Sequence, residues 1–256
     1  MKFVYINLRR KKDRAKTFVD TIFERVEACD GLKLKEDKYR KIWADKVGID
    51  EAILTEKWLM NRSNFKTLSN KFDYVLKRVG CYLSHLYALI MAEEQPILIL
   101  EDDAQALQQV TKESLNNLLK DTEKEITFLG CAFHGYHKYD LTNPFINITT
   151  QHITGAFSYY VKNPKNIVRV LKSVFQENKK SYDKNKDWYS GKIKMRMRPI
   201  DEMYLLFNSN NMSCFLMPLI YTHPYEANNS DINNQGKAYE YKKLAITFYP
   251  KQLTTD

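Results

Sequence analysis

Apolar positions in this chain fall into short unbroken runs and longer spaced ones, and the two kinds alternate. Lys2 to Leu8, KFVYINL, is a short aliphatic and aromatic run ending in a polar burst, which predicts a buried strand opening into a loop. A helix is expected from about Lys12 to Thr21. FERVEACDG then sets Phe23, Val26 and Ala28 among charges and stops at Asp30-Gly31, predicting a second strand that ends in a turn. In GCYLSHLYALIMAEE, Leu83, Leu86, Tyr87 and Ile90 stand at helical offsets of 0, 3, 4 and 7. Cys81, Ser84, His85 and Ala88 share another side of that helix, where a neighbour can approach closely. PILIL does not alternate, as a strand covered on both faces does not. Further on, the pattern predicts a helix near Thr111 to Glu123 and strands at Ile126 to Gly130 and Ala156 to Val161. NPKNIVRVLKSVF predicts a helix with Asn163 as cap and Pro164 in the first turn. A shorter helix from Pro199 and a strand from Ser213 to Pro218 follow.

Strands alternating with helices indicate an α/β fold with a mostly parallel central sheet flanked by helices. Residues 32–77 are charged and weakly periodic, and are expected to form a helical insertion within one domain spanning residues 1–256. With 8 glycines and 7 prolines, the chain has no Ser/Pro/Gly-rich linker to divide it.

The formal charge of +9 calls for an anionic partner: nucleic acid, a sugar nucleotide, a phosphorylated acceptor or a membrane surface. RRKKDR, Arg9 to Arg14, and the cluster Lys192, Lys194, Arg196 and Arg198 are candidates for that contact, or solvated faces. The four cysteines, Cys29, Cys81, Cys131 and Cys214, lie far apart without a C-x-x-C pair, which argues against zinc and against a disulfide scaffold and fits a reducing compartment. No stretch approaches the roughly 18 apolar residues that span a bilayer. The expectation is a cytoplasmic protein, with membrane contact confined to the periphery of an anionic inner face.

The greasiest segment runs straight into Glu101, Asp102 and Asp103. Ligands of open α/β sheets bind beyond the carboxyl ends of the strands, and three adjacent carboxylates there repel one another unless a hard divalent cation neutralises them. Glu101 and Asp103, two apart, would point to the same side of an extended chain. A hydrated acidic turn, or a helix start favoured by its dipole, is the alternative.

Val79 to Ala104, VGCYLSHLYALIMAEEQPILILEDDA, resembles the signature of glycosyltransferase family 25, the lipooligosaccharide-type galactosyltransferases and related collagen galactosyltransferase domains: a G-C-x-x-S-H helix, an aliphatic strand and E-D-D. INLRRKKDR (Ile6 to Arg14), RVEACDG (Arg25 to Gly31) and RPIDEMY (Arg198 to Tyr204) resemble further family elements in the same order. Family members often carry Glu just before the Gly-Cys pair, where this chain has Arg78 and Val79.

The resemblance implies a GT-A-like fold and inverting transfer of a hexose, galactose or glucose, from a nucleotide sugar, a UDP-sugar by expectation, to a hydroxyl of a glycan or glycolipid. It implies Mn²⁺ or Mg²⁺ held by Glu101 and Asp103, with His223 as a candidate third ligand. Asn7, Arg10, Arg14, Ser84, His85 and Asp102 are the candidate donor-binding residues. Arginine's planar fork suits phosphate oxygens, while a helix histidine such as His85 is equally a satisfied structural side chain. Asp201 is the candidate base toward the acceptor hydroxyl, with Glu202 in reserve. His134, Tyr136 and His137 are candidates to line the acceptor pocket, Gly155 stands before a strand, and Phe157, Tyr159 and Tyr160 are expected in the core. Two other classes compete: a basic nucleic-acid binder, although no recognisable nucleic-acid motif occurs and none is expected as a partner, and a metal-dependent nucleotidyltransferase or phosphohydrolase.

Overall fold

The computed structural model describes residues 1–11, 22–56, 59, 72–106, 111–133, 145–147, 153–175, 200, 204, 212–215 and 221–222. Their strands are β1 (Lys2–Asn7), β2 (Glu24–Glu27), β3 (Ile97–Glu101), β4 (Gln105–Ala106), β5 (Ile126–Phe133), β6 (Phe145–Asn147), β7 (Ile153–Val161), β8 (Met212–Phe215) and β9 (Tyr221–Thr222). Their α-helices are α1 (Asp37–Val47), α2 (Phe72–Ala92), α3 (Lys112–Leu119) and α4 (Pro164–Ser173).

Seven strands form one sheet in the order β2-β1-β3-β7-β5-β8-β6, and β4 pairs with β9. β1 is parallel to β2 and β3, β5 is parallel to β8, and β7 runs antiparallel to both β3 and β5. Five strands therefore point one way and only β7 and β6 the other. The α/β, GT-A-like expectation of a mostly parallel sheet holds.

β3 is an interior strand of this sheet, between β1 and β7. Ile97, Leu98, Ile99 and Leu100 are all fully buried, because a strand covered on both faces has no solvent side. Ile97 and Ile99 join the larger core, with side chains of α1, α2 and α4; Leu98 and Leu100 join a second one with Phe3, Tyr5 and the α3 residues Leu115 and Leu119. The sheet is thus a middle layer between two helical ones. No described helix is long and apolar enough to cross a membrane.

Several boundaries differ from the sequence expectation. α2 begins at Phe72, well ahead of Gly80, and is buried nearly all round, so its inward side shows no single stripe. α3 stops at Leu119 and opens on a capping box between Thr111 and Ser114. Pro164 does open α4, but Asn163 makes no side-chain cap bond; its carbonyl instead accepts the Asn166 N–H at 3.2 Å. β5 and β7 run longer than their apolar cores because they pair with each other along their length, with register shifts around Gly130. Gly155 lies inside β7 and not before it. β8 is described over Met212–Phe215, with residues 216–218 of the expected strand outside the described residues, and the brief β4, β6 and β9 have no sequence signal of their own. The helix expected from Lys12 and, but for Ile200 and Tyr204, the one expected from Pro199 lie outside the described residues. Within the charged stretch, two 3-10 turns (Gly31–Lys35 and Glu51–Leu54) flank α1, and Leu34, Trp43, Val47 and Leu54 reach the larger core.

α2 meets the segment following β2 backbone to backbone. A Cβ built on Gly31 would stand 2.0 Å from the Leu76 carbonyl oxygen, and one on Gly80 would stand 2.6 Å from the Gly31 nitrogen and 2.8 Å from the Cys29 oxygen. One turn along, Ser84 Oγ accepts the Cys29 N–H at 2.8 Å and donates to the Gly80 carbonyl at 2.6 Å, so a buried amide that leaves the sheet has a partner. Helix propensity alone favours Gly80→Ala by about 1 kcal/mol. Forcing a methyl into this backbone contact costs about 1–3 kcal/mol or more. Gly80→Ala should therefore lower the urea midpoint of unfolding; an unchanged or higher midpoint would show that the contact does not require glycine.

The core also buries ionisable groups in neutral form. The Tyr204 hydroxyl donates to that of Tyr159 at 2.8 Å, and burial raises both phenols well above their usual range. Burial likewise raises the Cys29 thiol, with Asp30 adding to the effect, and pushes Tyr39 up to about 12. Folded chains therefore keep these protons to higher pH than unfolded chains, so stability is full below the unfolded values, about 8.5 for thiol and 10 for phenol, and falls as pH rises above them. Melting temperature should hold to about pH 8.5 and drop steeply above about pH 10. Tyr159→Phe should flatten that alkaline slope.

Candidate active site

Parallel pairing of β1 with both neighbours brings three strand ends to one edge, with Ile6 in register with Glu101 and Asn7 with Glu27. What leaves β1, β2 and β3 there is Leu8 to Arg10, Ala28 to Gly31, and Asp102 to Asp103. α2 lays Cys81, Ser84 and His85 across the opening, and together these segments line a pocket of about 120 Å³.

Asn7 is buried beneath that pocket. Its side-chain amide donates to Asp102 Oδ2 at 2.8 Å and to the Lys11 carbonyl at 3.1 Å, while its oxygen accepts Arg25 Nε at 3.1 Å. Asn7 thus fixes the acidic turn and the loop after β1, its amide saturated by protein groups. Arg10 lines the pocket and is ion-paired to Asp30 through Nε at 2.9 Å. Asp30 is held in turn: its N–H donates to the Tyr39 hydroxyl at 2.9 Å and its carboxylate accepts the Leu32 N–H at 3.3 Å.

His85 is 1% exposed, and both of its ring nitrogens are engaged. Nδ1 stands 2.7 Å from the Tyr159 hydroxyl, against whose ring the imidazole stacks, and Nε2 stands 3.2 Å from Glu101 Oε1. Tyr204 continues the chain behind Tyr159. The histidine therefore joins the buried β7 to the pocket and orients the first of the three carboxylates. Phe157, Tyr159 and Tyr160 are buried as expected, but Tyr159 also carries this polar contact.

Among the described residues, four carboxylates line the pocket (Asp30, Glu101, Asp102 and Asp103) against two cations, Arg10 and Lys77. One oxygen of Asp103 is shielded from solvent. Of the sequence candidates, Arg10, Ser84, His85, Glu101, Asp102 and Asp103 meet in this space, with Asn7 directly below. Arg14, His134, Tyr136, His137, Asp201, Glu202 and His223 lie outside the described residues. Sequence reasoning assigned no role to Asp30, Arg25 or Cys81. Asp30 and Arg25 sit in the RVEACDG stretch, whose polar residues were the available signal; Cys81 is one turn ahead of His85 on the same helix side. Arg78 folds its guanidinium over the Tyr74 ring, 5.3 Å from the centroid, with its Nη2 2.9 Å from the hydroxyl.

A family model described as glycosyltransferase family 25 (LPS biosynthesis protein) matches residues 1–180. No curated protein matches the chain. Members of such a family take a sugar from a nucleotide-sugar donor to a glycan or glycolipid acceptor. Since the match takes in 180 of the 256 residues and every described group lining the pocket, the chain belongs to glycosyltransferase family 25 and is a glycosyltransferase enzyme.

Proposed function

We propose that this enzyme is a metal-dependent, inverting hexosyltransferase that moves galactose or glucose from a UDP-sugar to a hydroxyl of a surface glycan or glycolipid. The supporting observation is the charge of the pocket: four carboxylates against two cations would repel a nucleoside diphosphate unless a cation entered with it. The donor set fits a hard ion, since Glu101, Asp102 and Asp103 offer only carboxylate oxygens. Glu101 and Asp103 would hold Mn²⁺ or Mg²⁺, with His223 as the third protein ligand. Once bound, the ion supplies electrostatic stabilisation of the departing diphosphate.

The chain's own residues do the rest. Asn7 ties down one oxygen of Asp102 and so fixes the turn that carries Asp103. His85 sets the direction of Glu101 from a buried, stacked position, and Ser84 holds the Cys29 backbone against α2. Arg10, with Arg14, binds the phosphates. Asp201 takes the proton of the acceptor hydroxyl as that oxygen attacks the anomeric carbon, which inverts the configuration in one displacement; Glu202 is the reserve base. Basic surface residues hold the enzyme near anionic lipid or phosphorylated sugar at the cytoplasmic face of a membrane.

Purified protein with Mn²⁺ should slowly hydrolyse one UDP-sugar without acceptor, and Asp103→Ala should abolish this with unchanged circular dichroism; hydrolysis surviving in the variant removes the metal role from Asp103. Asp201→Asn should cut transfer about 10²–10⁴-fold while the thermal shift given by UDP-sugar persists. If Glu202→Gln causes that loss instead, the base is Glu202.

A further inference from the structure

We propose a second metal site in the wall of this pocket, formed by Cys81, His85 and Glu101 and suited to zinc. Cys81 and His85 lie one helical turn apart on α2, and Glu101 ends the strand beneath them. The thiol sulfur, a ring nitrogen and a carboxylate oxygen of the three residues all lie within 4.8 Å of one another. Around a tetrahedral zinc, with bonds of about 2.0–2.3 Å, donors stand roughly 3.3–3.8 Å apart. His85 Nε2 and Glu101 Oε1, at 3.2 Å, are already at that spacing, and small side-chain rotations bring in the sulfur.

Three features favour this ion class. A thiolate with an imidazole and a carboxylate is a mixed, partly soft set that binds Zn²⁺ well and Mg²⁺ poorly. On binding, the Cys81 thiol proton leaves to solvent, and the two negative donors balance the dication, so the site is neutral where His85 is buried. Behind the imidazole stands Tyr159: with Nε2 on the metal, the ring proton sits on Nδ1 and donates to the Tyr159 oxygen 2.7 Å away, the kind of outer partner that fixes a ligating histidine. All three residues line the pocket, so the ion has a path in and its fourth position faces the cavity. Cysteine spacing conceals the site because its third donor comes from a strand. Glu101 belongs to both this site and the hard-ion site proposed above, and the thiolate and imidazole keep a soft-leaning ion in place against Mg²⁺; the site itself does not rest on the transferase reading.

The test is Co²⁺ titration of the full chain after chelator treatment. Sulfur-to-cobalt charge-transfer absorption should appear with intense visible bands of four-coordinate Co²⁺, saturate at one ion per chain, and vanish on adding equimolar Zn²⁺ but not excess Mg²⁺. Cys81→Ser should lose the charge-transfer band and Cys29→Ser should keep it. Glu101→Gln, which alters a partly exposed side chain, should raise the Co²⁺ Kd at least about tenfold and serves if Cys81→Ser does not fold. Absence of the band, its survival in Cys81→Ser, its displacement by Mg²⁺, or an unchanged Kd in Glu101→Gln overturns the proposal. These optical readouts are independent of UDP-sugar hydrolysis, so failure of this site and failure of the transferase reading are distinguishable.

Discussion

Close approach of α2 to the chain leaving β2 is the constraint on which the pocket depends. Gly31 and Gly80 have no side chains between them, so the Leu76 carbonyl comes up against Gly31 and the Cys29 amide reaches Ser84 Oγ across the gap. That contact places Asp30 beside Arg10 on one wall and Cys81, Ser84 and His85 on the other. A single methyl group at the junction would push the helix off the sheet edge and separate the walls. Hydrophobic burial along α2 supplies the attraction, and the two glycines set how far it can act.

Charge organises what geometry assembles. The chain as a whole is strongly cationic, yet the mouth of its sheet is anionic. Long-range attraction draws a diphosphate or an anionic acceptor toward the protein, while the carboxylates lining the pocket repel it at close range. Inside, three of the acidic groups are held by defined donors: Asp102 by Asn7, Asp30 by Arg10, Glu101 by His85. Such fixing holds these three carboxylates in set directions.

The strands were legible wherever burial was one-dimensional along the chain. Ile97 to Leu100 announce themselves because both faces of β3 are covered, and Glu101 to Asp103 follow at the strand end. α2 was legible as a helix, but its start was not, because Phe72 to Arg78 mix charge with apolar residues that only tertiary packing orders. Brief strands such as β6 arise from pairing partners far along the sequence. In the site, carboxylates and arginines drew notice by type, whereas the linkage of His85 to Tyr159, 74 positions away, leaves no local trace. Asn7 shows the converse: the right residue was singled out, but its saturated amide makes it a brace for Asp102.

β7 is the reversed strand wedged between β3 and β5, and it ties the order of synthesis to the order of assembly. By the time Asp103 has left the ribosome, every described residue lining the pocket exists, yet the phenol that supports His85 arrives 56 residues later, with Tyr159. Until then β3 has an unpaired edge, and the imidazole lacks its hydrogen-bond partner on that side. A nascent chain therefore holds the described lining of the pocket before it holds the brace behind His85, and insertion of one strand supplies that brace.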